Sequence, residues 1–232
     1  MNVKEFVKTL KSWQSEKEYQ KITRYFKADD NDNRVIGVRM KKIFGLAKEN
    51  TDMSLDEVEK LLEEPWYEAR MGAVSILDYK ARKKKITEED HRELYDLYLN
   101  RHDRINTWDF IDRSAPHVIG GYLYKFNKSR NILYKLAESE NVWKRRTSIV
   151  ATGYFIRKGE PDDTFRIAGM LVHDDQEMVQ KAVGTWIRHA GQQAPEKLQH
   201  FLETHAADMP RPTLTTAVER LDKKQKSYYR SL

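Results

Sequence analysis

Trp108 and Asp112 stand four residues apart in the segment NTWDFIDRSAPHVIGGYL (residues 106–123), with Asp109 between them. On a helix, residues at i and i+4 are neighbours on one face, so this spacing puts an indole beside a carboxylate. The indole is a flat, polarisable surface for a sugar or a cationic base. The carboxylate has two chemical uses there, as a general base toward water or as a stabiliser of positive charge growing on a substrate. Both uses belong to cleavage of a glycosidic bond through an oxocarbenium-like transition state. Most sugar hydrolases employ two acids and only one is evident here, which matters less when the leaving group is already cationic, as an alkylated purine is. The spacing also has a plainer reading, in which Asp112 pairs with Arg113 or Arg104 and Trp108 is a core residue.

The elements that must hold these residues are helices. Apolar residues recur at i, i+3, i+4 and i+7 along nearly the whole chain, and the 10 Gly and 6 Pro fall in short punctuating clusters. Phe6, Val7, Leu10 and Trp13 form one stripe; Ile22, Tyr25 and Phe26 predict a second. Val35 to Ala47 predicts a third, after the polar loop KADDNDN. Further helices are predicted over SLDEVEKLLEE, YEARMGAVSILDYKAR, TEEDHRELYDLYLNR, SRNILYKLAES, VWKRRTSIVATGYFIRK, DTFRIAGMLVH, EMVQKAVGTWIRHAG, PEKLQHFLETHA and RPTLTTAVERLD. Ser54 ahead of Glu57 and Thr87 ahead of Asp90 are N-terminal capping patterns. A period also emerges. Trp108 follows Arg70 by 38 residues, Arg146 follows Trp108 by 38, and the same step reaches Gly184 in QKAVGTWIRHAG, while Tyr67 aligns with Trp143. Helix hairpins repeating at about this length build HEAT-like solenoids, in which equivalent positions line one concave surface. The expected fold is therefore an all-α, HEAT-like helical-repeat solenoid forming a single domain over residues 1–232, with an irregular helical bundle as the alternative.

Composition narrows the chemistry. Across 232 residues, 42 Lys+Arg against 36 Asp+Glu give a net charge of +6 and favour a polyanionic partner weakly. There is no Cys, which excludes disulfides, thiolate metal sites and a cysteine nucleophile, and fits a reducing cytoplasm. No apolar run approaches a membrane span, and MNVKEFVKTLKSW starts an amphipathic helix rather than a signal peptide. Neither His102 nor His189 has a ligand-spaced partner, so no metal is expected. Basic runs at ARKKK (81–85) and in the tail at 222–232 either touch phosphate or complement helix ends. Arg39, with Lys41 and Lys42, either contacts a backbone or caps an array. Tyr122, Tyr124, Tyr228 and Tyr229 are expected between helices, and Gly120 and Gly121 either admit a close helix approach or end the Asp112 helix.

The segments TWDFIDRSAP and GGYL, then NVWKRRTSIVAT and VQKAVGTWIRHA, resemble the AlkC/AlkD-type DNA alkylation repair glycosylases, closest to the AlkD type. The upstream RYF and GVRMKKI are also similar to that family's N-terminal part, so the resemblance covers about residues 20–220. It implies a concave basic face gripping duplex DNA and hydrolysis of the N-glycosidic bond of N3- and N7-alkylated purines, the first step of base excision repair. No metal or other cofactor and no membrane are implied, and a monomer in the bacterial cytosol or nucleoid is expected. By this resemblance Asp112 is the catalytic carboxylate, Trp108 packs on the lesion's deoxyribose, and Arg146 lies beside the backbone. Tyr25 and Arg39 from the N-terminal part, with Arg70 and Asp109, join the DNA-binding set. Trp143 and Arg145 come from the third quoted segment, and Lys181, Thr185, Trp186 and Arg188 from the fourth. There the family usually reads KAIGW where this chain reads KAVGTW, shifting the aromatic by about 100° around the helix. Trp186 then either reaches DNA from a shifted helix or turns into the core. A non-catalytic scaffold for DNA or protein is the rival function, and an acidic-peptide-binding solenoid a third.

Overall fold

The computed structural model describes residues 1–26 and 33–232, so KADDNDN lies outside the described residues except for Asn33. The chain is all-α and clusters into two compact units, Met1–Ser114 and Ala115–Leu232. No helix among the described residues is long and apolar enough to cross a membrane.

The first unit begins with α1 (Val3–Ser12), whose capping box joins the Asn2 side chain to the Glu5 N–H and the Glu5 carboxylate to the Asn2 N–H. Its buried stripe is the expected Phe6, Val7 and Leu10. Helix α2 (Glu16–Thr23) buries Ile22 but stops at Thr23, so Tyr25 and Phe26 occupy the turn beyond it instead of prolonging the stripe. The helix expected from Val35 begins only at α3 (Met40–Glu49). Residues 35–39 are non-helical for a physical reason that the apolar spacing hides. The buried Glu68 carboxylate accepts the N–H groups of Ile36, Gly37 and Val38 at 2.9, 2.7 and 3.2 Å. Gly37 has φ +95° and a β-carbon there would lie 2.8 Å from the Ser15 carbonyl oxygen, so only glycine fits. Helix α4 (Leu55–Glu63) is capped by Ser54 and α6 (Glu88–Asn100) by Thr87, as the capping patterns predict. Between them α5 (Tyr67–Ala81) is buried on almost every side, and α1, α3, α4 and α6 all pack on it. The Arg104 guanidinium donates to the carbonyls of Leu62, Glu63 and Glu64, closing the C-terminus of α4. Helix α7 (Trp108–Ala115) follows.

The second unit opens with one π-helical turn, Pro116–Gly120, which passes into α8 (Gly121–Lys125). Proline has no N–H for the carbonyl four residues back, and the wider i→i−5 spacing absorbs that defect. The glycines therefore do not end the helix. Gly120 admits a close approach instead, since a β-carbon on it would sit 2.2 Å from the Ala151 carbonyl oxygen. Helices α9 (Asn131–Ala137) and α10 (Val142–Ala151) come next, the latter capped by Asn141. The single helix expected over VWKRRTSIVATGYFIRK breaks at Thr152, whose hydroxyl bonds back to the Ile149 carbonyl at 2.6 Å, and resumes as α11 (Gly153–Ile156). Then follow α12 (Asp162–Leu171), α13 (Glu177–Gly191), α14 (Pro195–His205) and α15 (Arg211–Ala217). The basic tail folds as α16 (Lys223–Ser231), capped by Asp222. Helix α13 is central, touching α10, α12, α14 and α15. Tyr122 and Tyr229 are buried as expected, whereas Tyr228 is exposed, because only one of two adjacent helical positions can face inward.

Candidate active site

Helix α7 sorts its residues by face. Phe110 and Ile111 are fully buried, while Trp108, 41% exposed, and Asp112 come to the surface one turn apart. Their backing is polar and rigid. The Asp109 carboxylate accepts from the Tyr67 hydroxyl, the Thr107 hydroxyl and the Phe110 N–H. It lies in the first turn of α7, where the helix dipole favours a negative charge. The Tyr67 ring stacks on Phe110 at 5.3 Å and meets Phe26 edge-on at 5.1 Å. Burial first, then the Asp109 charge, raises the proton affinity of the Tyr67 phenol far above its ordinary value, with smaller contributions from Glu68 and Tyr25. Tyr67 thus donates its hydroxyl hydrogen to the Asp109 carboxylate.

The two bases that the sequence offered to Asp112 are engaged elsewhere. Arg113 pairs with the buried Asp78 at 3.2 Å, donates to the Ser75 hydroxyl at 3.2 Å, and lies 4.7 Å from the ring centres of both Phe44 and Tyr79. Arg104 serves the end of α4. Arg70 is wholly buried, with its guanidinium on the Asn33 side chain, the Asn106 Oδ1 at 3.0 Å and the Arg104 carbonyl at 3.3 Å. It braces the segment that enters α7. Tyr25 and Arg39 are both exposed, Arg39 at the N-cap of α3. This unit therefore brings Tyr25, Tyr67, Asp109 and the Trp108–Asp112 pair into one neighbourhood.

In the second unit Trp143 is half-buried in the first turn of α10, next to Arg145 and Arg146. The Arg145 fork grips Asp174 at 2.6 and 3.2 Å and also donates to the carbonyls of Ser139 and Glu140. Arg146 is buried and donates to the Met178 carbonyl. Lys181 pairs with Glu177 at 2.6 Å, and Arg188 with Glu219. Thr185 is half-buried. The displaced Trp186 lies with its six-membered ring against Gly153, where a β-carbon would sit 2.4 Å from the ring, and 5.4 Å from His189. Trp186 is thus half-buried, packed on the start of α11. Burial, then Arg188 and Arg220, lowers the His189 proton affinity.

The sequence reading did not single out Tyr67 or Glu68 for these duties. Tyr67 stands 42 residues from Asp109, so no local spacing connects them. Glu68 stands in the first turn of α5 and is fully buried. A signal was present all the same, since a charge inside a helix with no polar face must find donors nearby.

The profile of the DNA alkylation repair enzyme family matches residues 6–221. Among curated proteins nothing matches significantly. Two solved structures are similar in fold. One is a predicted DNA alkylation repair enzyme from Enterococcus faecalis, at 14% identity and a TM-score of 0.70, covering 90% of this chain and 97% of that one. The other is AlkD2 from Streptococcus mutans, at 19% identity and a TM-score of 0.55, covering 95% of this chain and 100% of that one. The HEAT-like helical-repeat fold expected from the sequence is the fold shared with both.

Proposed function

The chain belongs to the DNA alkylation repair enzyme family, and on that premise we propose that it is a monofunctional DNA glycosylase for cationic N3- and N7-alkylated purines in duplex DNA. The observation that carries the reading is the Trp108–Asp112 pair, exposed one turn apart on a helix clamped from behind through Asp109. In this reading the indole of Trp108 packs on the deoxyribose of the lesion in duplex DNA. The Asp112 carboxylate stabilises the oxocarbenium-like sugar and orients the water that attacks it. The positive charge on the alkylated base makes it a good leaving group, so one carboxylate suffices without a metal or cofactor. Arg146 is buried and ties α10 to α13 through the Met178 carbonyl. A carboxylate at a phosphate-binding surface is repelled by its ligand, which supports a chemical duty for Asp112 over a scaffold role.

Duplex DNA carrying N7-methylguanine, assayed for release of the base, tests the proposal. Wild-type protein should release it, and Asp112→Asn should lower the single-turnover rate by roughly 10²-fold or more, the scale of a lost catalytic group. Tight, salt-sensitive binding with no release from either protein would make it a DNA-binding scaffold instead.

A further inference from the structure

The proposed reaction uses no metal, yet a group of metal-ligating side chains lies elsewhere in the second unit. His173, in the turn after α12, His205, the last residue of α14, and Asp208, just beyond it, place their ligand atoms within 4.8 Å of one another. His173 Nε2 and Asp208 Oδ2 are 3.7 Å apart, past hydrogen-bonding contact. That separation is close to what two ligands keep about a shared ion, since donors about 2.0–2.1 Å from a tetrahedral zinc stand roughly 3.4 Å apart. A surface ion pair of His173 with Asp208 would account for two of the three groups but gives no reason for His205 to join them.

The framework under these side chains is fixed by the backbone. The His205 carbonyl accepts the N–H groups of Asp208 at 3.2 Å and Met209 at 2.9 Å, and Met209 is buried. That turn holds His205 and Asp208 in register, and the His205 ring lies 4.6 Å from that of Phe201. On the facing side the Asp174 N–H bonds to the Leu171 carbonyl at 3.0 Å, while the Asp174 side chain is held by Arg145, so the turn carrying His173 is anchored at the next residue. The His173 and Asp208 side chains are about 60% exposed, which leaves room for water in a fourth position.

We propose that His173, His205 and Asp208 bind one divalent transition-metal ion of the zinc class, with water completing the shell, and that the ion ties the α12–α13 turn to the end of α14. Two imidazoles and one carboxylate select such an ion over magnesium or calcium, which take oxygen ligands. Binding to the folded form alone makes the ion a stabiliser of this corner.

The test uses untagged full-length protein stripped with a chelator, titrated with zinc chloride by calorimetry and followed by thermal unfolding. The expected result is one equivalent bound with a rise in Tm that saturates at that stoichiometry. His173→Ala, His205→Ala and Asp208→Asn should each weaken binding about tenfold or more, a loss of one ligand's contribution. Since His173 and Asp208 are exposed, those two variants should unfold like wild type without zinc. His200→Ala should bind as wild type does, and magnesium should not shift Tm. Absence of saturable zinc binding at sub-millimolar concentrations overturns the proposal. So does binding that survives both His173→Ala and Asp208→Asn, or that is lost equally in His200→Ala.

Discussion

At the scale of the residue, α7 separates two kinds of acid and two kinds of aromatic. Asp112 and Trp108 face outward, and their near neighbours Asp109 and Phe110 hold the helix to the unit beneath. Substitutions should divide along that line. Trp108→Ala removes an indole that is 41% exposed, so stability should stay within about 0.5 kcal/mol of wild type while base release falls. Tyr67→Phe deletes one hydroxyl and leaves Asp109 short of a donor, costing about 1–3 kcal/mol. Its effect on base release should be smaller than that of Trp108→Ala in protein shown to be folded. Urea unfolding and single-turnover release on both variants measure the two effects, and the opposite ordering would show that Trp108 is structural. The exposed pair was legible in the sequence because i,i+4 spacing fixes which residues share a face. The clamp behind it was not, because the Tyr67–Asp109 contact spans 42 residues and tertiary packing alone creates it.

At the scale of the element, helices were legible wherever local rules acted alone. Ser54 and Thr87 cap α4 and α6 where a side-chain oxygen could meet an orphan N–H. Expectation failed where another group competed with the helix for its backbone partners. Val35 to Ala47 has helical spacing, yet its first five residues are non-helical because Glu68, some thirty residues on, collects three of their N–H groups. The break at Thr152 reflects a side-chain hydroxyl competing for a helical carbonyl. The Glu68 cradle makes a sharp prediction. Glu68→Gln keeps the shape but replaces one accepting oxygen with an N–H₂ group, so at least one buried N–H faces a donor instead of an acceptor. The loss should be roughly 2–4 kcal/mol, since charged hydrogen bonds and unsatisfied buried groups each count for a few kcal/mol. Amide exchange should quicken first at Ile36, Gly37 and Val38. If stability is unchanged, the segment is held by Gly37 and the Arg34–Trp66 bridge rather than by the carboxylate.

At the scale of the whole molecule, the 38-residue register pointed to the helical-repeat fold but not to what each repeat does with its cation. A guanidinium strengthens DNA binding in a salt-dependent way only if phosphate replaces water and small ions around it. Arg70 and Arg146 are buried on amide and carbonyl oxygens, and Arg145 and Arg188 are paired with Asp174 and Glu219. Arg39 differs, being exposed at the N-cap of α3 and without an ion-pair partner among the described residues. The sequence places all five among the candidate site residues because residue type does not reveal direction. Affinity for undamaged duplex DNA, measured by fluorescence anisotropy across a range of salt, should separate them. The chain's net charge of +6 makes a steep fall with salt the expected background. Arg39→Ala should weaken binding and reduce the slope of log affinity against log salt by about 1, the signature of one lost phosphate contact. Arg70→Ala, by contrast, should cost stability through the lost brace on Asn33 and Asn106, and leave the slope of the protein that remains folded unchanged. An unaltered slope in Arg39→Ala would place the DNA on some other surface of the first unit, and a reduced slope in Arg70→Ala would mean that DNA binding draws that arginine out of its buried site.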